Sequence, residues 1–199
     1  MTTIIDYGAG NLFSVSNALN YLGCENRISS DKNDIISADR LILPGVGAFG
    51  DAMDKLKSSG LIDIIKQEAA QKPFLGICLG MQLLFEEGYE FGFHKGLGLI
   101  PGTVKLMEPG DALVIPQMGW NSLEFNNPCP LLKGISNGEY VYFVHSYAAE
   151  CPDAYVSAYT DYGGKVTALV NSGTVYGAQF HPEKSGEAGL NILKNFAEL

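Results

Sequence analysis

What this chain lacks narrows its function before any motif is considered. No apolar run reaches membrane-spanning length, which excludes a membrane-spanning helix and points to a soluble globular protein. Only 13 Lys and Arg stand against 22 Asp and Glu, a net charge of −9 with no basic cluster. That balance argues against nucleic acid and anionic membranes, and makes the chain a poor solo binder of phosphorylated substrates. The N-terminus, Met1-Thr2-Thr3-Ile4-Ile5-Asp6, has no basic region followed by an apolar core, so no secretory signal is expected. The four cysteines, Cys24, Cys78, Cys129 and Cys151, lack metal-ligand spacing. A reduced cytoplasmic protein without disulfides, zinc or another cofactor is the expectation. No complete phosphate loop is present either. Gly8-Ala9-Gly10-Asn11 begins like a dinucleotide loop, but Phe13 stands where the third glycine belongs.

No repeat, low-complexity tract or linker divides the sequence, so residues 1–199 read as a single domain. Its length suffices to bury roughly 70% of the unfolded surface. The first half alternates strand and helix patterns. Thr3 to Tyr7, Asn26 to Ser29 and Arg40 to Leu43 read as strands, and Leu12, Val15, Leu19 and Leu22 recur at helical spacing. Ala52 to Leu56 and Leu61 to Ala70 predict two more helices around Gly60. This order implies a largely parallel sheet flanked by helices, with chemistry at the carboxyl ends of the strands. After Gly88 the pattern becomes short strands between turn signals. Val156 to Tyr159, Val166 to Val170 and Thr174 to Phe180 predict an antiparallel meander, and Leu190, Leu193 and Phe196 a closing helix. The fold class is α/β, with a mixed sheet and an antiparallel C-terminal half.

Two constellations carry chemistry. Phe74 to Ile77 is a buried strand run entered through Pro73, and Met81 to Glu86 are good helix formers. Between them lies Gly76-Ile77-Cys78-Leu79-Gly80, a cysteine flanked by glycines at a strand-to-helix turn. Such an elbow lifts the sulfur above the sheet edge and aims helix N–H groups at whatever it attacks. A free cysteine is by default a small buried hydrophobe, but the two glycines favour a nucleophile. The second constellation is Phe180-His181-Pro182-Glu183-Lys184. His181 follows a strand that Pro182 ends, and Glu183 can orient the imidazole as base for a thiol. His94, by contrast, reads as a surface residue.

These motifs resemble the class I (triad) glutamine amidotransferase family over essentially the whole chain. Within it, the likeness is nearest to the glutaminase subunits of imidazole glycerol phosphate synthases. It is carried by Asp6-Tyr7-Gly8-Ala9-Gly10-Asn11, Pro44-Gly45-Val46-Gly47-Ala48-Phe49, Pro116-Gln117-Met118-Gly119-Trp120-Asn121, Phe143-Val144-His145-Ser146-Tyr147 and His181-Pro182-Glu183-Lys184-Ser185. The resemblance implies L-glutamine as substrate and a Cys78, His181, Glu183 triad. It implies backbone N–H groups of Val46 and Leu79 as an oxyanion hole, and Gly47, Gln82, Ser146 and Tyr147 around the substrate's amino acid end. It also implies a (β/α)8-barrel cyclase partner that receives ammonia internally and acts in histidine biosynthesis. Asn11, Trp120, Asn121 and Lys184 would contact that partner, Trp120 from a docking loop. Three alternatives stay open: the glutaminase of pyridoxal phosphate synthase, a hydrolase of free amides or peptides, and a silent scaffold. The first leads one to expect Pro-Gly-Gly-Glu-Ser where this chain has Pro44-Gly45-Val46-Gly47-Ala48.

Overall fold

Short apolar runs bounded by turn residues become the strands of one mixed eight-stranded sheet. The computed structural model describes residues 1–108, 110 and 113–199. The first half holds β1 (Thr2–Ile5), α1 (Leu12–Tyr21), β2 (Asn26–Ser29), α2 (Lys32–Ser37) and β3 (Arg40–Gly45), then α3 (Phe49–Ser59), α4 (Ile62–Ala69) and β4 (Phe74–Cys78). Next come α5 (Leu79–Gln82), β5 (Phe85–Gly88), β6 (His94–Lys95), β7 (Ile100–Leu106), β8 (Gln117–Ser122) and β9 (Glu124–Phe125). The remainder holds β10 (Tyr140–His145), β11 (Tyr147–Glu150), β12 (Val156–Asp161), β13 (Lys165–Ser172), β14 (Val175–Ala178) and α6 (Gly186–Ala197).

The main sheet runs β2-β1-β3-β4-β14-β13-β12-β9. Pairing is parallel from β2 through β14 and antiparallel from β14 to β9. The expected parallel half and C-terminal meander therefore share one sheet. Alternation along each strand divides the interior into two cores. Ile5, Leu41, Leu43 and Phe74 face α3 and α4, meeting Ala52, Leu56 and Ile65. Ile4, Ile42, Leu75 and Ile77 face the other way, meeting Val15 and Leu19 of α1 and Ile192, Leu193 and Phe196 of α6.

Several expectations are corrected. The elbow helix does not run to Glu86; α5 is a single turn, and Phe85 begins a strand. The carbonyls a longer helix would use are taken by the returning chain, Leu97 N–H bonding Leu83 O at 2.8 Å and Leu99 N–H bonding Leu84 O at 2.7 Å. The short α2 went unread because it buries only Ile35; the Asp31 side chain starts it by accepting from Asn33 N–H at 2.7 Å. Among the short strands expected after Gly88, Val104 to Leu106 ends a longer strand, β7, that Ile100 begins. With β5, β6 and β11 it forms a second sheet, β11-β7-β5-β6, while β10 and β8 pair as a separate ribbon. Trp120 therefore lies on a strand rather than in a docking loop. His94 is half-buried against the Phe49 ring, 6.4 Å between centroids, not a surface side chain.

Candidate active site

Strand β4 delivers Cys78 as its last residue, in register with Gly45 of β3. Cys78 has φ 54 and ψ −114, backbone that costs a non-glycine residue on the order of 1–3 kcal/mol. Close packing of bare backbone holds it there. A β-carbon at Gly76 would sit 2.5 Å from Gly80 O, and one at Gly45 would sit 2.6 Å from Gly80 N. One at Gly80 would overlap the carbonyl oxygen of Leu43 on β3. The flanking glycines are thus where two strands and the start of α5 touch. The sulfur ends 3.9 Å from Val144 O and 3.9 Å from Gln179 Nε2.

Beyond β14 the chain reaches His181, which donates its N–H to Tyr142 O of β10 at 3.0 Å. Ser185 tightens this seam, its hydroxyl donating to His181 O at 2.6 Å and accepting from Tyr142 N–H at 2.9 Å. His181 Nδ1 lies 2.8 Å from Glu183 Oε1, which turns the other ring nitrogen toward Cys78. Burial pushes the imidazolium down, but hydrogen bonding and charge from Cys78 and Glu183 outweigh it and raise the pKa to about 9. The Glu183 carboxylate is buried, and its Oε2 finds no partner among the described residues. A carboxylate out of water has its attraction for the imidazolium little screened.

A cavity of about 320 Å³ opens over the sulfur. Cys78, Leu79, His181, Val46, Gly47, Gln82, Ser146 and Tyr147 all line it, together with Glu90, Pro116, Val144 and His145. A groove of about 340 Å³ near Lys105, Glu108, Tyr162 and Lys165 is marginally larger, but neither the cysteine nor His181 lines it. The smaller cavity is the one that Cys78 and His181 line. Asn11 precedes α1 and Lys184 lies exposed in the 3₁₀ turn after His181; neither lines the cavity. Trp120 is 53% exposed on β8 and stacks edge-on against Tyr142 at 6.0 Å. Among the described residues no three His, Cys, Asp or Glu side chains converge to hold a metal ion, and no helix is long and apolar enough to cross a membrane.

A strained cysteine and a histidine of raised pKa on one cavity, with a buried carboxylate bonded to the imidazole, are the parts of acyl transfer through a thioester. The family model for glutamine amidotransferase class-I matches residues 3–199. The chain belongs to the class I glutamine amidotransferase family. Relatives of this amidotransferase include a Listeria monocytogenes serotype 4b protein named imidazole glycerol phosphate synthase subunit HisH. It is 52% identical, across 100% of this chain and 96% of that one. A Bacillus cereus protein of the same name is 51% identical across 98% and 93%. Among solved structures, one titled glutamine amidotransferase superposes with a TM-score of 0.76 at 19% identity, covering 99% of both chains. The structure of PurLQS from Thermotoga maritima gives 0.76 at 22% identity, covering 99% of this chain and 97% of that one. At such identities the structural likeness shows the fold.

Two residues lining this amidotransferase's cavity, Glu90 and His145, and one beside it, Gln179, were not singled out as site residues from the sequence. Glu90 follows β5; its Oε2 accepts from Phe49 N–H, at the start of α3, at 2.7 Å. Gln179, fully buried two residues before His181, accepts from Gln82 Nε2 at 3.0 Å and turns its own Nε2 toward Cys78. His145 ends β10, buried, and its pKa falls to about 4 through burial, partly offset by the Tyr147 carbonyl. Of the three, only His145 lay in a string that carried a sequence signal, His145-Ser146-Tyr147, whose other two residues also line the cavity.

Proposed function

We propose that this amidotransferase is the glutaminase subunit of an imidazole glycerol phosphate synthase. It hydrolyses L-glutamine to glutamate and ammonia, and passes the ammonia to a (β/α)8-barrel cyclase partner in the cytoplasm. The observation that carries the reading is Cys78 and His181 lining one cavity, with Glu183 bonded to His181, in a chain 52% identical, end to end, to a protein named for that subunit.

The geometry supports each step. The Cys78 sulfur attacks the side-chain amide carbon while His181 holds the thiol proton. The oxyanion that forms lies over the N–H of Leu79, at the start of α5, with Val46 across the cavity. His181 gives its proton to the amide nitrogen as the C–N bond breaks, leaving a glutamyl thioester and ammonia. It then takes a proton from water, whose oxygen attacks the thioester and frees Cys78. Among the described residues Glu90 is the one carboxylate lining the cavity, and its charge suits the substrate's α-ammonium.

Docking is assigned to the outer face of the β8–β10 ribbon. Met118 and Trp120 share that face with Tyr140 and Tyr142, and Met118, Trp120 and Tyr140 are 64%, 53% and 59% exposed. Tyr142 is hydrogen bonded to the His181 segment, so partner contact there lies one residue from the triad. The deciding experiment is co-purification from the native source, followed by glutaminase assay with and without the captured protein. A barrel cyclase that switches on glutamine hydrolysis supports the reading; a chain equally active alone on unrelated amides removes it.

A further inference from the structure

His145 faces an acceptor at each ring nitrogen. Nδ1 lies 2.8 Å from the Tyr147 carbonyl oxygen, and Nε2 lies 3.0 Å from Oε1 of Gln117, whose side chain is fully buried. A ring held neutral by burial has one proton for these two partners. The carbonyl can only accept, so the proton belongs on Nδ1. Nε2 must then accept, and only the amide N–H2 of Gln117 can supply that bond. This fixes the half-turn of the Gln117 amide, exchanging Oε1 and Nε2 in place. The effect continues outward. The other end of the Gln117 amide lies 3.0 Å from the Asn121 amide, which must now donate to it and gives up a long 3.4 Å contact to Asp161 O.

We propose that Gln117 and His145 are positioning residues for the glutaminase reaction, fixing the Ser146–Tyr147 wall of the glutamine pocket and tying it to strand β8. The proposal rests on the function assigned above. His145 and Gln82 both donate to the Tyr147 carbonyl, each at 2.8 Å. Ser146 O is held separately by Met107 N–H at 2.9 Å. Two side chains thus clamp one peptide of the pocket wall, and His145 is itself held by Gln117 from behind. Gln117 belongs to the same strand as Met118 and Trp120, so its orientation joins the pocket to the proposed docking face. Gln117 is the ring's one side-chain partner from β8. The titratable groups sharing the cavity with the ring are Cys78, His181, Glu90 and Tyr147. His181 is the one whose charge disfavours protonation of His145.

The test is alkylation by a diazo-ketone glutamine analogue, read as half-saturating concentration and maximal labelling rate. Gln117→Met keeps the length of the side chain and removes the donor. It should raise the half-saturating concentration about tenfold while the maximal rate stays within about twofold. Gln117→Glu places a carboxylate at Nε2, which favours the doubly protonated ring and so restores the bond to Tyr147 as pH falls. Relative to the parent, its half-saturating concentration should improve as pH drops from about 8 to 6. This second variant carries the test if Gln117→Met does not fold. Unchanged half-saturation in Gln117→Met, loss of both constants together, or a Gln117→Glu profile parallel to the parent's overturns the proposal. A parent chain that the analogue does not label at Cys78, either alone or with the cyclase bound, removes the functional reading itself, a different and separately visible failure.

Discussion

His181 Nδ1 and Glu183 Oε1 lie 2.8 Å apart, with both side chains almost fully withdrawn from water. Folding raises the His181 pKa from 6.5 to about 9. In that window the folded chain holds a proton that the unfolded chain releases, so unfolding free energy falls as pH rises. The contribution is fully present below about pH 6.5, is lost as pH rises through about 9, and reaches at most about 3 kcal/mol. Urea unfolding across this range should show the gap between the parent and His181→Asn closing as pH rises. A gap independent of pH would mean that His181 does not hold its proton through this window.

Cys78 should be the site of covalent chemistry. The diazo-ketone analogue should label it and spare Cys24, Cys129 and Cys151, which lie outside the cavity. In complex with the cyclase, Cys78→Ala should lose synthesis from glutamine and keep synthesis from added ammonium at alkaline pH, since ammonia is the species transferred. Peptide mapping that finds the label elsewhere, or a variant complex that cannot use ammonium, contradicts the assignment.

The elbow was legible because the sequence states its steric condition directly. Gly76 and Gly80 mark where a β-carbon cannot fit, and only a tight strand-to-helix turn needs both beside a cysteine. His181 and Glu183 were legible for a similar reason: Pro182 ends the strand, and two-residue spacing lets one side chain reach the other. Glu90 and His145 were not. Glu90 meets the start of α3 across 41 residues of sequence, and nothing at either end marks the pairing. Strand β5 hid because Phe85-Glu86-Glu87 reads locally as helix, and the hydrogen bonds that decide otherwise come from residues 97–100. Trp120 hid its strand for a related reason. On β8 the inward face is Gln117, Gly119 and Asn121 while Met118 and Trp120 stand exposed, which inverts the apolar alternation of a half-buried strand.

Trp120→Ala should weaken binding of the cyclase while leaving the cavity intact. The side chain is half-exposed and braced by Tyr142, so truncation removes an anchor without opening the core. A loss of about 2 kcal/mol in affinity is expected if the ring fills a pocket on the partner, about thirtyfold in Kd. Calorimetry with the parent and the variant measures it. Equal affinities would move the docking face away from this ribbon.

The last prediction concerns Val46, which stands where a Pro-Gly-Gly loop would carry its second glycine. Gly45 is pressed against the backbone of Leu79 and Gly80, so the chain enters the cavity rim from a fixed point. Val46 follows half-exposed, and the positive φ that the loop needs, 101°, falls on Gly47 instead. For Val46 to offer its N–H to the oxyanion, the Gly45–Val46 peptide must point its hydrogen into the cavity. That constrains ψ of Gly45 and φ of Val46, and a β-branched residue resists rotations that glycine makes freely. A resting loop that turns a carbonyl to the cavity would leave the free subunit a poor glutaminase, and docking beside the triad would supply the bias to turn it. Strain of about 1–3 kcal/mol at such a position corresponds to as much as a hundredfold in rate. Val46→Gly should therefore raise glutamine hydrolysis by the free subunit and shrink the stimulation given by the partner. The assay compares both chains with and without cyclase, with folding checked by urea midpoint. A folded Val46→Gly variant as silent as its parent would place the switch outside this peptide.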